Sequence, residues 1–241
     1  MNGTWPEGKS VDLPILAPEL SGHVKSDAFL ILSNSPYNVV KNFIIDEGVL
    51  LYVEPGVRIN FDQNTSIIVR DGGVIARGTR ENPILFTSSG ATPSPGDYRN
   101  AIRFEKKNSV SSFFEYCIVE YATTAFDVYY GTPEISYCYI ANNAQSGVYC
   151  RNDAAPKIFY STIADNLGEG GIKCVGMSRP KINYNNFINN IVAIQVFSTI
   201  QIDARHNWWG NNPPDNSVIW GDNINIESWL ETPGEGAFAG K

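Results

Sequence analysis

Apolar and polar residues alternate with a period of two in short runs along this chain, and similar runs return at near-constant spacing. "AIRF" at 101–104, "AFDV" at 125–128, "GVYC" at 147–150, "GIKC" at 171–174 and "AIQV" at 193–196 line up by their apolar pairs. The second member of each pair (Phe104, Val128, Cys150, Cys174, Val196) recurs at steps of 24, 22, 24 and 22 residues. Between these runs lies a second series: Phe114 with Tyr116, Ile135 with Tyr137, Ile158 with Tyr160 and Ile182 with Tyr184, at steps of 21, 23 and 24. Val119, Ile140, Ile163 and Phe187 form a third column with the same steps.

A period of two within each run excludes a helical pattern. Short strands repeated in this way cannot bury an inner face within one repeat. They must stack in parallel on their own copies, with residues of equal rank piled above one another. The expected architecture is therefore a parallel β-solenoid with rungs about 4.8 Å apart. Asn143, Asn166 and Asn190 share one rank. Stacked amides at a bend can partner one another and the turn backbone, and Ala122 breaks that column in the first of these coils.

The earlier part of the chain joins the stack in a different dialect. Val49, Leu51 and Val53 point inward before a Pro55-Gly56 turn, followed by Val57, Ile59 and Phe61. Ile67 and Val69, a Gly72-Gly73 turn, Val74 and Ala76, then Ile84 and Phe86 repeat the idea. The stretch "SSGATPSPGDYRN" at 88–100 is a loop by its Gly, Pro and Ser content.

Several stretches together, "SPYNVVKNFIIDEGVLLYVEPGVRINF", "GGVIARGTRENPILFTSS", "PGDYRNAIRF", "FFEYCIVEYA" and "HNWWGNN" with "INIESWL", resemble the right-handed parallel β-helix proteins of the pectate-lyase-like superfamily. More narrowly they resemble surface β-helix modules whose last coil ends in an NWWG motif. The resemblance covers roughly residues 35–230 and implies an all-β, right-handed parallel β-helix of about seven or eight coils, capped at both ends. It also implies an extracellular or cell-surface location, in a longer surface protein. It is specific for fold and weak for chemistry, because one fold hosts many functions.

The expected organisation is one domain: a cap segment at 1–34, the β-helix at 35–210, and a C-terminal cap and tail at 211–241. Trp5, Leu13, Ile15 and Leu16 are available to cover the first rung as an irregular cap, and Trp208, Trp209, Trp220 and Trp229 to cover the last. The tail "ETPGEGAFAGK" reads as frayed or as a link.

Composition narrows the function classes. A net charge of −7 argues against a nucleic-acid partner, which needs a basic footprint. No segment approaches the roughly 18 consecutive apolar residues of a membrane span. The start "MNGTWPEGKS" has no apolar signal core, consistent with either a cytosolic protein or a mature fragment. Cys117, Cys138, Cys150 and Cys174 form no CxxC and lack a nearby His, so no metal site is expected from them. Cys150 and Cys174 take inward ranks, and free thiols are expected throughout.

If inward columns are core, chemistry belongs to the outward ones. On the "AIRF" series one outward column reads Arg103, Asp127, Tyr149, Lys173, Gln195, and the next reads Glu105, Tyr129, Arg151, Val175, Phe197. Cations, carboxylates and tyrosines thus recur at rung spacing, close to the length of one sugar. Tyrosine faces would stack on sugars while Arg and Lys pair with uronate carboxylates. The candidate binding residues are Arg103, Glu105, Asp127, Tyr129, Tyr149, Arg151 and Lys173; an ordinary solvated face with cross-strand ion pairs is the plainer reading.

An enzyme is the other reading. A glycosidase needs carboxylates about 5–9 Å apart, and the candidate pairs are Glu105 with Asp127 and Glu115 with Glu120. A lyase would need an acidic calcium cluster beside an Arg or Lys base, with Asp97 of the 88–100 loop available to complete a site. His23 and His206 stand alone, and His206 reads as a turn hydrogen-bonder. The expectation is a non-catalytic surface module with no cofactor, presenting a rigid face to polysaccharide; the alternative is a lyase or hydrolase acting on an acidic glycan, with calcium if a lyase.

Overall fold

The computed structural model describes residues 13–106 and 111–240. Its strands run in parallel and in register as a solenoid with three faces. Face A contains Ser66–Val69, Tyr98–Phe104, Ala122–Val128, Ser146–Cys150, Gly170–Gly176, Ile194–Ser198 and Ile219–Trp220. Face B contains Ala28–Leu30, Leu50–Val53, Gly73–Arg77, Phe113–Glu115, Glu134–Ser136, Lys157–Phe159, Lys181–Asn183, Ile202–Asp203 and Ile224–Asn225. Face C contains Arg58–Phe61, Ile84–Ser88, Cys117–Glu120, Tyr139–Ala141, Thr162–Ala164 and Asn186–Ile188. The long strand Tyr37–Ile45 bends from one face into another: its first half pairs with Arg58–Phe61 and its second with Ser66–Val69.

The nine strands of face B, among the described residues, give about nine turns rather than seven or eight. The additional rungs come from the ends. Glu19–Val24 and Ala28–Leu30, read from sequence as irregular, already lie in the ladders, and Ile219–Trp220 and Ile224–Asn225 extend them at the other end. End strands this short show no alternation long enough to read. Ile15 bridges Phe29 and Leu16 packs on the core, whereas Trp5 lies outside the described residues.

The predicted columns are vertical files. Phe104, Val128, Cys150, Cys174 and Val196 are consecutive ladder partners. So are Phe114, Ile135, Ile158 and Ile182, and Val119, Ile140, Ile163 and Phe187. Nearly all of these side chains have no exposed surface. Phe114 sits amid three other phenylalanines, with Phe126 edge-on at 5.0 Å and Phe86 and Phe104 at 6.3 Å. The four cysteines are buried free thiols. Burial and the neighbouring Cys138 push the Cys117 thiol up, and Cys174 with burial does the same to Cys150.

Two corners hold the coils in register. Between faces C and A, Asn142, Asp165 and Asn189 take left-handed φ values of 56°, 52° and 52°, a conformation Asn and Asp tolerate better than most. The next residues form the amide ladder. Asn143 Nδ2 donates to Asn166 Oδ1 at 2.8 Å, and Asn166 Nδ2 to Asn190 Oδ1 at 3.0 Å. Each lower amide oxygen also accepts the backbone N–H above it. The column ends upward where Asn143 Oδ1 accepts from the Ala122 N–H.

The B-to-C corner carries a ladder that the sequence reading missed. Cys117, Cys138, Ser161, Asn185 and Asn207 share its rank. Asn185 Nδ2 donates to Asn207 Oδ1 at 3.1 Å, the Ser161 N–H to Asn185 Oδ1 at 2.9 Å, and the Cys138 N–H to Ser161 Oγ at 3.0 Å. The residues just before them, Tyr116, Tyr137, Tyr160, Tyr184 and His206, are all left-handed. They are therefore not inward core partners of Phe114 and its file. Their rings stack on the outside of the corner at 5.0, 5.2, 5.2 and 5.1 Å, tilted by 14° or less.

At the lower end Trp209 is buried and stacks on Phe187 at 4.6 Å, whereas Trp220 and Trp229 remain 47% and 38% exposed. The tail is not frayed. Its N–H groups and apolar side chains dock back on the outside of the solenoid, at Asn186 and Tyr160.

Removing an amide from the middle of the ladder strands several buried groups at once. Asn166→Ala leaves the buried Asn143 backbone N–H without an acceptor, takes from the Asn143 amide one of its two acceptors (the Ala141 carbonyl remains), and removes a donor from the Ile140 carbonyl. Urea unfolding should show a loss of about 3 kcal/mol, and a smaller loss for Asn143→Ala at the ladder's upper end.

Candidate functional site on face A

Alternation alone sends Arg103, Asp127, Tyr149, Lys173 and Gln195 outward from face A, and the ladder places them in one file. Glu105, Tyr129 and Arg151 follow two residues along. The structure brings the candidate binding residues Arg103, Glu105, Asp127, Tyr129, Tyr149, Arg151 and Lys173 into one interlocked surface. Arg151 grips Asp127 through two N–H groups, Nε to Oδ1 at 3.0 Å and Nη2 to Oδ2 at 2.9 Å. The same guanidinium lies 4.2 Å from the Tyr129 ring centroid and 4.1 Å from that of Tyr149. Arg103 covers the other side of Tyr129 at 4.8 Å, and Lys173 lies over Tyr149 at 5.2 Å.

The pile continues beyond the predicted set. Arg70 donates to Glu105 at 3.0 Å, and Arg103 lies 3.5 Å from the other oxygen of Glu105. At the opposite end Lys173 pairs with Glu169. Neither Arg70 nor Glu169 was selected from the sequence. Arg70 belongs to the earlier dialect, whose alignment with the main repeat appears only once Val69 is seen to pair with Phe104. Glu169 sits outside the alternating run and reaches Lys173 across the turn before Gly170. That turn tolerates no side chain at Gly170, because a Cβ there would stand 2.0 Å from the Val192 carbonyl oxygen.

Asp127 points outward yet is only 2% exposed, since Arg151 and its neighbours roof it over. Burial pushes its carboxyl above the ordinary range, and the nearby Arg151, Arg103 and Arg99 oppose that rise without cancelling it. Tyr129 and Tyr149 each carry cations against the ring, so these rings are sheathed rather than open. Open aromatic surface lies lower on the same face. Phe197, partner of Val175, is 58% exposed, and Trp220, partner of Gln195, is 47% exposed.

The proposed catalytic pairs do not form free carboxylate dyads. Glu105 is engaged by Arg70 and Arg103, and Asp127 by Arg151. Glu115 and Glu120 line separate depressions of about 280 Å³ each, one on face B and one on face C. Asp97 turns into its own loop, where the Ser94 N–H and hydroxyl both donate to it. Burial opposes ionisation of this carboxyl, but the hydrogen bonds from Ser94 and Ser88 prevail and hold it below its ordinary value. Among the described residues no group of three or more His, Cys, Asp and Glu side chains could hold a metal ion. His23 does not stand alone, since its Nδ1 lies 2.9 Å from Asp46. His206 is the last ring of the tyrosine stack.

Two family comparisons agree with this architecture. The family described as "Right handed beta helix region" matches residues 96–228, and that described as "Pectate-lyase like beta helix domain" matches residues 22–102. The chain belongs to the right-handed β-helix family, of the pectate-lyase-like kind. No curated protein and no solved structure matches it. No helix is long and apolar enough to cross a membrane among the described residues.

Because its folded value is raised, Asp127 stabilises the fold most below the ordinary Asp range, and that contribution is lost as pH rises through the folded value. Asp127→Asn should therefore flatten the fall in unfolding free energy between acid and neutral pH. Arg151→Gln, which strips the buried carboxylate of its partner, should steepen it and cost on the order of 3 kcal/mol at neutral pH. Denaturant titrations of the three proteins at several pH values check both.

Proposed function

We propose that this chain is a non-catalytic β-helix module of the cell surface or extracellular space, and that face A binds an acidic polysaccharide. The observation that carries the reading is the cation file on a rigid ladder. Arg70, Arg103, Arg151 and Lys173 interleave with Glu105, Asp127 and Glu169, which leaves one cation in surplus on a chain whose net charge is −7. The rungs, about 4.8 Å apart, approximate the repeat of an extended glycan. Guanidinium edges not used by Asp127 or Glu105 can take uronate carboxylates. The exposed rings of Phe197 and Trp220 offer stacking surface further along the same face.

A module rather than an enzyme is favoured by the state of the acids. Glu105, Asp127 and Glu169 are each already held by a cation, so none of the three stands free as a general acid or base. The glycan-cleaving alternative rests on the family's pectate-lyase-like character alone.

Titration with polygalacturonate and with neutral dextran, followed by calorimetry, separates the readings. The acidic polymer should bind and weaken with added salt, the neutral one should not, and Arg103→Gln with Lys173→Gln should weaken binding about tenfold. Release of unsaturated products, followed by ultraviolet absorbance, would instead establish a lyase. No binding to either polymer sinks the glycan-binding reading.

A further inference from the structure

Face C carries, among the described residues, a stretch of this chain's own tail laid across it. Leu230 donates its N–H to the Asn207 carbonyl at 2.9 Å, on a late coil. The chain then climbs. Gly234 is clamped at both backbone groups by one side chain, its N–H donating to Asn186 Oδ1 at 2.8 Å and its carbonyl accepting from Asn186 Nδ2 at 3.2 Å. Phe238 donates to the Tyr160 carbonyl at 3.2 Å and forms a bridge with Ser161. Its ring is 3% exposed and meets Tyr116 edge-on at 5.6 Å. Gly240 rests on the Tyr139 ring, where a Cβ would come to 3.0 Å from the ring carbon Cγ.

The contacts follow the outward file of face C, which reads Leu85, Ile118, Tyr139, Thr162 and Asn186. The mode of recognition is that of a receptor and a peptide: one amide reads the backbone, one ring fills a notch, and small residues allow close approach. Beyond Ala239 the file continues into a depression of about 280 Å³ lined by Leu85, Ile118, Glu120 and Tyr139.

One detail bears on how firmly the segment is held. Thr162 lies on this file between Tyr139 and Asn186, both touched by the tail, and it is 2% exposed. Its hydroxyl is buried without a hydrogen-bond partner. An unmade hydrogen bond of this kind is regained from water when the cover lifts, so it favours release of the tail.

We propose that the outer surface of face C is a peptide-docking groove for a glycine-rich segment bearing one phenylalanine. Residues 234–240 of this chain occupy it, and the same segment of a second copy can enter it when the resident tail lifts. The groove lies on a different face from the cation file and stands independently of the glycan-binding reading.

A fluorescent peptide of residues 233–240, Pro-Gly-Glu-Gly-Ala-Phe-Ala-Gly, tests this against the full chain carrying Phe238→Ser. The peptide should bind that variant about tenfold more tightly than the unmodified chain, whose groove is filled. A peptide with Ser in place of Phe should bind neither. Equal binding of the two peptides, or none to a folded variant, overturns the proposal. Should the variant not fold, hydrogen exchange of the Phe238 amide decides in the unmodified chain: excess peptide should abolish its protection, and unchanged protection overturns the proposal. Thr162→Val, which removes the unpartnered hydroxyl without changing shape, should slow that exchange; an acceleration would count against the groove.

Discussion

The coil-on-coil register is the constraint from which the rest of this molecule follows. Each rung satisfies its backbone N–H and carbonyl groups only through the rungs above and below, so a slip of one residue would turn every inward side chain to solvent. The inward files enforce the register by burial and the corner ladders enforce it by polarity. An amide whose oxygen accepts both the backbone N–H and the side-chain N–H of the coil above has one acceptable height and one acceptable rank. Apolar files alone would tolerate a slip of two residues, which keeps every side chain on its own face. The amides of Asn143, Asn166 and Asn190, and of Asn185 and Asn207, do not.

The two ladder corners of the main repeat must also turn sharply, and they do so through left-handed residues that are not glycine. For an L-residue this conformation costs roughly 1–2 kcal/mol. At the C-to-A corner Asn and Asp reduce that cost by their own chemistry. At the B-to-C corner the residues are Tyr116, Tyr137, Tyr160, Tyr184 and His206, and the compensation comes from the neighbouring coil. Stacked aromatic pairs contribute about 0.5–1.5 kcal/mol each beyond the area they bury. The tyrosine column is therefore a property of the stack, since one coil by itself would have no reason to place a tyrosine there.

The same geometry accounts for the character of face A. A parallel ladder sets equal ranks side by side, so like charges in one file repel unless opposite charges or rings separate them. Arg103, Asp127, Tyr149 and Lys173 obey that rule within one file, and Tyr129 and Arg151 beside them complete the cation–aromatic pile. The result is a surface that is ordered and largely neutralised, with its most deeply placed carboxylate roofed over by Arg151. The commitment of its acids to partners is the ground on which we propose a surface that holds a charged polymer rather than one that moves protons.

Much of this was legible in the sequence because it is local and periodic. The alternation fixed which residues point inward, and the recurrence at 21 to 24 residues fixed which of them stack. The files through Phe104, Phe114 and Val119, the Asn143 ladder, the free thiols and the cluster around Asp127 were all readable from those two periods. Only the tertiary structure decided the rest. It turned the tyrosines out of the core, because a backbone φ is not written in the apolar pattern. It joined Arg70 and Glu169 to the face, since their partners lie in other coils or across a turn. It also laid the tail along face C, because Phe238 has no periodic neighbours and finds its place only where Asn186, Tyr160 and Tyr116 already stand in file.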